Sequence, residues 1–261
     1  MIYELNHVGI RNRDMERTLA FHAALGAQVV FDATIPGAGT RIVYVQLAGG
    51  LVEYICTPDP GADVTPGIDH LAFLTDHLDS DHARLLDAGA TEAVAPKPAG
   101  TGVGRLSFLD VGDARIELLE RDVDLRRPRR TDSLIADLDH YALATSDLDT
   151  TAAFLADVIG LAPLADPDDG QSCRYLGLRA DAVGLIAADA ENAPSTFPSV
   201  ALRVDDIGAA LAELTQRGIT GVVEAGDTRT RNGRRAVLHD PDGIRFELID
   251  RPALPSVTPV Q

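Results

Sequence analysis

Apolar and polar residues alternate along this chain with two periods, and the order of those periods repeats four times. In LNHVGIRNRDMERTLAFHAALGA a strand-like run passes through a polar turn into about three turns of amphipathic helix, closed by a glycine. IDHLAFLTDHLDSDHARLLDAGA, LDHYALATSDLDTTAAFLADVIGL and SVALRVDDIGAALAELTQRGI echo it, with Gly26, Gly89, Gly160 and Gly218 as the helix stops. Runs with period two follow each helix, divided by Gly, Pro and Asp turns. They are AQVVFDA, RIVYVQL and GLVEYIC in the first copy, and EAVAP, GRLSFLD and ARIELLE in the second. The fourth has GVVEAG, RRAVLHD and IRFELID, and the worn third keeps CRYLGLR and AVGLIAA. The predicted unit is βαβββ. The predicted class is α+β, with four modules paired into two tandem domains.

The spacing supports that pairing. His70 follows His7 by 63 residues and Glu117 follows Glu53 by 64, while His140 follows His7 by 133 and Glu247 follows Glu117 by 130. A length of 261 residues also suits two domains. The expected boundaries are 1–122 for a first, metal-binding domain, 123–135 for a linker, 136–251 for a degenerate second domain and 252–261 for a tail. Around the linker, RDVDLRRPRRTDS is charged and aperiodic, and its arginines are expected to be solvated. The tail, PALPSVTPVQ, is expected to lie loosely.

The chemistry sits in strands otherwise built for burial. Alternation places His7 with Leu5 and Gly9, Glu53 with Leu51 and Ile55, His70 with Ile68 and Ala72, and Glu117 with Arg115 and Leu119. A lone histidine or glutamate in such a place is ordinarily a hydrogen-bonded core residue. Four at repeat-matched positions need one common explanation, because a buried carboxylate without compensation costs several kcal/mol. One divalent cation shared by His7, Glu53, His70 and Glu117 provides it. Two nitrogens, two carboxylates and no thiolate suit Zn, Ni, Co, Mn or Fe.

Charge and composition exclude more than they assign. The net charge of −17 argues against nucleic acid and anionic membrane as partners. No apolar run has membrane-spanning length and no signal peptide opens the chain, so a cytoplasmic location is expected. Cys56 and Cys173 form no CxxC-like pair and are expected to be reduced and buried. Lysine occurs once, as Lys97, and the sequence alone gives it no role. His22, His77, His82 and His239 fit solvent or core-edge positions. GAGT at 37–40 and AGTGVG at 99–104 read as turns between strands, since neither opens a helix.

HVGIRNRDMERTLAFHAALG and HDPDGIRFELID, with the repeat-matched His and Glu positions, resemble the vicinal oxygen chelate superfamily. It includes glyoxalase I, methylmalonyl-CoA epimerase, extradiol dioxygenases, and fosfomycin- and bleomycin-resistance proteins. The resemblance spans 3–122 and 136–251. It implies paired βαβββ modules forming a cup around a metal, with ligands at His7, Glu53, His70 and Glu117. It also implies a small-molecule substrate and a homodimer as a common assembly. By similarity to glyoxalase I, Glu117 is the acid/base, with Glu53 as the second. The expected activity is proton transfer next to a carbonyl through a metal-stabilised enediolate, as a lyase or an epimerase/isomerase. The alternatives are an Fe(II) extradiol dioxygenase, whose relatives carry a two-His-one-carboxylate triad in the second domain, and a metal-free binding or resistance protein. In the second domain His140 and Glu247 match the first and fourth positions. Leu185, Ile186 and Ala187 offer no carboxylate at the second, and Val200 takes the third. A cross-paired arrangement would instead group His7, Glu53 and Glu247 in one site and His70, Glu117 and His140 in another.

Overall fold

The computed structural model describes residues 1–58, 65–130, 133–165, 173–188, 198–224 and 234–257. The first module runs β1 (Ile2–Asn12), α1 (Met15–Ala24), β2 (Gln28–Thr34), β3 (Arg41–Leu47) and β4 (Gly50–Cys56). The second runs β5 (Gly67–Thr75), α2 (Leu78–Asp87), β6 (Thr91–Pro98), β7 (Arg105–Val111) and β8 (Ala114–Glu120). In the third, β9 (Asp137–Thr145) leads to α3 (Leu148–Ala153), which widens into a π-helical turn over Phe154–Ile159. β10 (Ala162–Pro163), β11 (Arg174–Leu178) and β12 (Asp181–Ala187) complete it. The fourth holds β13 (Val200–Arg203), α4 (Ile207–Gln216), β14 (Val223–Glu224), β15 (Arg234–His239) and β16 (Arg245–Asp250).

Aspartates in the strand-to-helix turns start three of the helices. Asp14, Asp147 and Asp206 accept from the backbone N–H groups of Arg17, Thr150 and Ala209, satisfying donors the first turn leaves open. All four expected stop glycines have positive φ, as a left-handed helix exit requires. No helix among the described residues is long and apolar enough to cross a membrane.

Modules pair within each half. One sheet has the order β2-β3-β4-β1-β5-β8-β7-β6 and the other β10-β11-β12-β9-β13-β16-β15-β14, so the cross-paired arrangement is not formed. In the first sheet β1 and β5 are antiparallel at the centre, with β4 parallel to β1 and β8 parallel to β5. The four central strands, β4, β1, β5 and β8, carry Glu53, His7, His70 and Glu117 in turn.

Val8, Ile10, Val52, Tyr54, Leu71 and Phe73 belong to an apolar core that continues into Leu143, Val183, Leu202 and Phe246 of the second half. Burying Leu71 and Phe73 completely contributes roughly 1.5–3 kcal/mol each. Smaller clusters, Val30–Ile42–Tyr44–Leu51–Leu125 and Ala72–Leu74–Leu119, are separate from this core. Leu5 departs from expectation: it joins the Val8 and Ile10 core, not the face of His7. A register irregularity between Leu5 and His7 breaks the alternation there.

The linker is not solvated throughout. Arg126 pairs with Glu4 and donates to the carbonyls of Gly49 and Asn6, while Gln46 clasps the backbone of Arg127. Cys56 and Cys173 form no disulfide but are only half-buried, so the expectation of full burial fails. His77 and His239 are exposed, whereas His22 and His82 are buried. Burial pushes the His22 imidazole down to about 3, keeping it neutral beside Tyr54. From the tail, Val257 bridges to Arg179; residues 258–261 lie outside the described residues.

Candidate metal centre and its pocket

Each expected ligand arrives from a different central strand, and the four meet. One ligand atom from each of His7, Glu53, His70 and Glu117 lies within 4.8 Å of the others, and all four residues are buried. His7 Nε2 is 3.6 Å from Glu53 Oε2 and 3.3 Å from Glu117 Oε2; His70 Nε2 is 3.4 Å and 3.3 Å from the same oxygens. His7 Nε2, His70 Nε2 and Glu117 Oε2 are buried without a hydrogen-bond partner. Native interiors rarely leave such atoms unpaired. Their lone pairs face one point, which fits one divalent ion.

The two imidazoles are held differently. His7 Nδ1 is 3.1 Å from Asn6 Oδ1, an oxygen that also accepts from Arg121 at 2.7 Å. His70 Nδ1 is 3.0 Å from the Asp69 carboxylate, whose other oxygen takes Arg11 Nε at 2.6 Å. Each arrangement places the ring proton on Nδ1 and leaves Nε2 for the cluster, as outer partners of metal-bound histidines do. Gly9 makes room for the second ring: a Cβ there would fall on the His70 imidazole.

Without a cation the cluster holds its own charge balance. Burial opposes ionisation of Glu53 and Glu117, yet the facing imidazoles of His7 and His70 hold both carboxyls below the usual range. Burial also disfavours charge on His70, but Asp69, Glu117 and Glu53 together raise its imidazole well above 6.5. A raised imidazole stabilises the fold fully below pH 6.5 and loses that stabilisation as pH climbs through the raised value; the lowered carboxyls stabilise above 4.5 and lose it as pH falls. We therefore expect the melting temperature of chelated protein to fall as pH rises from 6.5. Metal-loaded protein, with the proton displaced, is expected to lack this alkaline loss. Thermal melts across pH with and without chelator check both.

Glu53, His70 and Glu117 of the cluster line a pocket of about 310 Å³ whose walls are mostly apolar, with Phe31, Ile42, Tyr44 and Phe108 among them. The 99–104 turn, expected only as a connection, contributes Ala99, Gly100, Thr101 and Val103 to the wall. Among the described residues Lys97 and Arg121 are the cations that line it, and sequence reasoning assigned neither to the site.

The second half keeps the surroundings and the first and fourth positions, His140 and Glu247, but loses the second and third ligands. Strand register identifies the equivalents: Glu53 pairs with Gly9, and Gly184 with Ala142, while Ala72 and Ala201 pair with the first and fourth positions of their halves. Gly184, not Leu185, Ile186 or Ala187, therefore stands for Glu53. Ser199, not Val200, stands for His70. Both expectations were displaced by small steps because loop lengths differ between the halves, and counting along the chain cannot correct for that. Ser199 Oγ donates to Glu247 at 2.9 Å, occupying the carboxylate. Tyr175 meets His140 edge-on at 5.1 Å as Tyr44 meets His7 at 4.9 Å, and Arg251 lies 5.0 Å over Tyr175 as Arg121 lies 5.5 Å over Tyr44. Asp139 replaces Asn6, 2.7 Å from His140 Nδ1.

Residues 4–118 and 137–248 match the family model described as the Glyoxalase/Bleomycin resistance protein/Dioxygenase superfamily. The chain belongs to that superfamily. This superfamily member shares its fold with the 2,3-dioxygenase LapB from Pseudomonas sp. KL28, at 18% identity and TM-score 0.69, covering 99% of this chain and 96% of the other. The Mn(II)-bound glyoxalase from Novosphingobium aromaticivorans aligns at 17% identity and TM-score 0.69, over 99% and 86%. Homoprotocatechuate 2,3-dioxygenase from Brevibacterium fuscum, in complex with 3,4-dihydroxyphenylacetate, gives 16% identity and TM-score 0.72, over 97% and 82%. No protein of curated function matches the sequence. At these identities the likeness establishes the fold of the superfamily member, while its chemistry rests on its own residues.

Proposed function

We propose that this chain is a divalent-metal enzyme that transfers a proton next to the carbonyl of a small oxygenated substrate, as a glyoxalase-type lyase or an epimerase/isomerase. The observation that carries the reading is the group of buried, partnerless atoms, His7 Nε2, His70 Nε2 and Glu117 Oε2, with Glu53 Oε2 beside them. A bound ion would act as a Lewis acid on a substrate that reaches it through two vicinal oxygens. His7, Glu53, His70 and Glu117 would hold that ion.

The rest falls to the chain. Asn6 and Asp69 fix the histidine tautomers. The Glu117 carboxylate, by loosening an oxygen from the cluster, would take the proton from the carbon beside the carbonyl. Glu53 Oε2, on the far side of the cluster, exchanges it as the second acid/base. Tyr44 and Phe108 wall the site from water and limit loss of the proton to solvent.

A dioxygenase is the second reading, favoured by the shared tandem architecture with LapB. Against it stands the donor count. Oxygen activation typically uses two histidines and one carboxylate with three open positions; here Glu53 adds a fourth donor, and the second half offers Gly184 and Ser199 where ligands would be needed. A metal-free binding protein would have no use for the cluster. The test is to incubate metal-loaded protein with α-hydroxyketones in deuterium oxide while monitoring dissolved oxygen. Deuterium entering the carbon next to the carbonyl without oxygen uptake is the expected result. Oxygen consumption with no exchange would favour the dioxygenase, and absence of metal from purified protein would favour the binding protein.

A further inference from the structure

Among the described residues two cations, Lys97 and Arg121, line the pocket, and neither holds a carboxylate. The chain has 40 acidic residues and a single lysine, and that lysine lines the pocket. Elsewhere among the described residues of the first half, Arg11, Arg41, Arg84, Arg105 and Arg115 each hold a carboxylate, and the exposed Arg13 and Arg17 do not. Among the described residues the Lys97 side chain has no ion pair or hydrogen bond. Arg121 spends one nitrogen on Asn6 and lies over Tyr44, and its Nε is buried without an acceptor. A divalent ion held by the cluster would balance the charges of Glu53 and Glu117. With an ion bound, what would remain uncompensated among the described lining residues is positive, with Lys97 exposed to solvent, in a protein of net charge −17.

Register places Lys97 away from the cluster but within the same cavity. Lys97 pairs with Leu106 and Phe108 pairs with Glu117, two positions further along the shared strand β7. With strands about 4.8 Å apart and a rise of about 3.4 Å per residue, the backbones of Lys97 and Glu117 are about 12 Å apart. An apolar body separates the two ends, bounded by Phe31, Ile42 and Phe108 in a space of about 310 Å³. That volume is at the small end for ligand sites.

We infer that the substrate is a compact apolar molecule with an anionic group, a carboxylate in its simplest form, that binds Lys97 and Arg121 while vicinal oxygens at its other end reach the His/Glu cluster. The inference rests on the proposed function and adds the substrate's charge and polarity. Lys97 and Arg121 select the anion, and the apolar walls accept the body between.

The test uses Zn-loaded full-length protein and two probes with the same vicinal oxygens: α-hydroxyacetophenone, which is neutral, and 4-(hydroxyacetyl)benzoate, which carries a carboxylate. Calorimetric titration is expected to show the carboxylate probe binding about tenfold tighter or more. Added salt should reduce that preference. In Lys97→Met the ratio of the two dissociation constants should collapse toward one, and Lys97→Arg should retain it. Equal binding by unaltered protein, or a preference that survives Lys97→Met, overturns the inference while leaving the proposed function intact. If neither probe binds more tightly to Zn-loaded than to chelated protein, the vicinal-oxygen reading fails and this inference falls with it.

Discussion

Replacing Gly9 by alanine should strip the protein of metal without unfolding it. The added methyl would occupy the position of the His70 ring, closer to its Cε1, Nε2 and Nδ1 than real Cβ atoms come to any neighbour. The ring has little freedom to move aside, since Nδ1 is tied to Asp69 and the ring meets Phe108 edge-on at 5.2 Å. Moving it breaks the Asp69 bond and carries Nε2 away from the other three donors. We expect metal affinity to fall on the order of 100-fold, equivalent to about 2.8 kcal/mol. Gly9 lies in an extended strand and is not among the positive-φ glycines, so alanine meets no backbone obstacle. Elemental analysis together with far-ultraviolet circular dichroism separates site loss from unfolding. Full occupancy in the variant would mean that His70 does not hold the ion.

Glu117→Gln is expected to act on turnover first. The amide preserves size and leaves His7, Glu53 and His70 as donors, so part of the bound metal should survive. What the variant lacks is a carboxylate oxygen able to take a proton from carbon, and loss of such a base costs about 100-fold or more. His70→Ala should instead lose metal and activity together, because Glu117 keeps its base but the ion loses a nitrogen donor. Comparing metal content with the rate of deuterium exchange distinguishes the two. If Glu117→Gln exchanges deuterium at the unaltered rate, Glu53 is the base and the assigned roles reverse.

The cluster was legible in the sequence because duplication supplied the control: His7 and Glu53 recur as His70 and Glu117 at nearly equal spacing, and polar residues in buried strands invite one explanation. The module order was legible for the same reason, since each Asp-capped helix ends at a glycine. Features that depend on register or on distant partners were not. Leu5 changed neighbours at a strand irregularity that alternation cannot anticipate. Gly184 and Ser199 emerged as the worn ligand positions only when strand pairing replaced counting. Lys97 and Arg121 carried a compositional signal, one lysine in the whole chain and an arginine-rich linker, with nothing to say that both meet the pocket. Arg126 read as linker charge until its partners Glu4, Gly49 and Asn6 were seen.

The second half has lost two of its four ligand positions, yet it packs tightly against the first. Phe246 meets both Phe21 at 6.0 Å and His22 at 5.3 Å, and Tyr141 donates to the Leu51 carbonyl at 3.1 Å. Cutting between the halves would bare that apolar seam and leave α1 without its cover. Heat or denaturant should therefore take both halves apart in one cooperative step, and selection for an intact cluster around His7 also acts on a strand that touches no ligand.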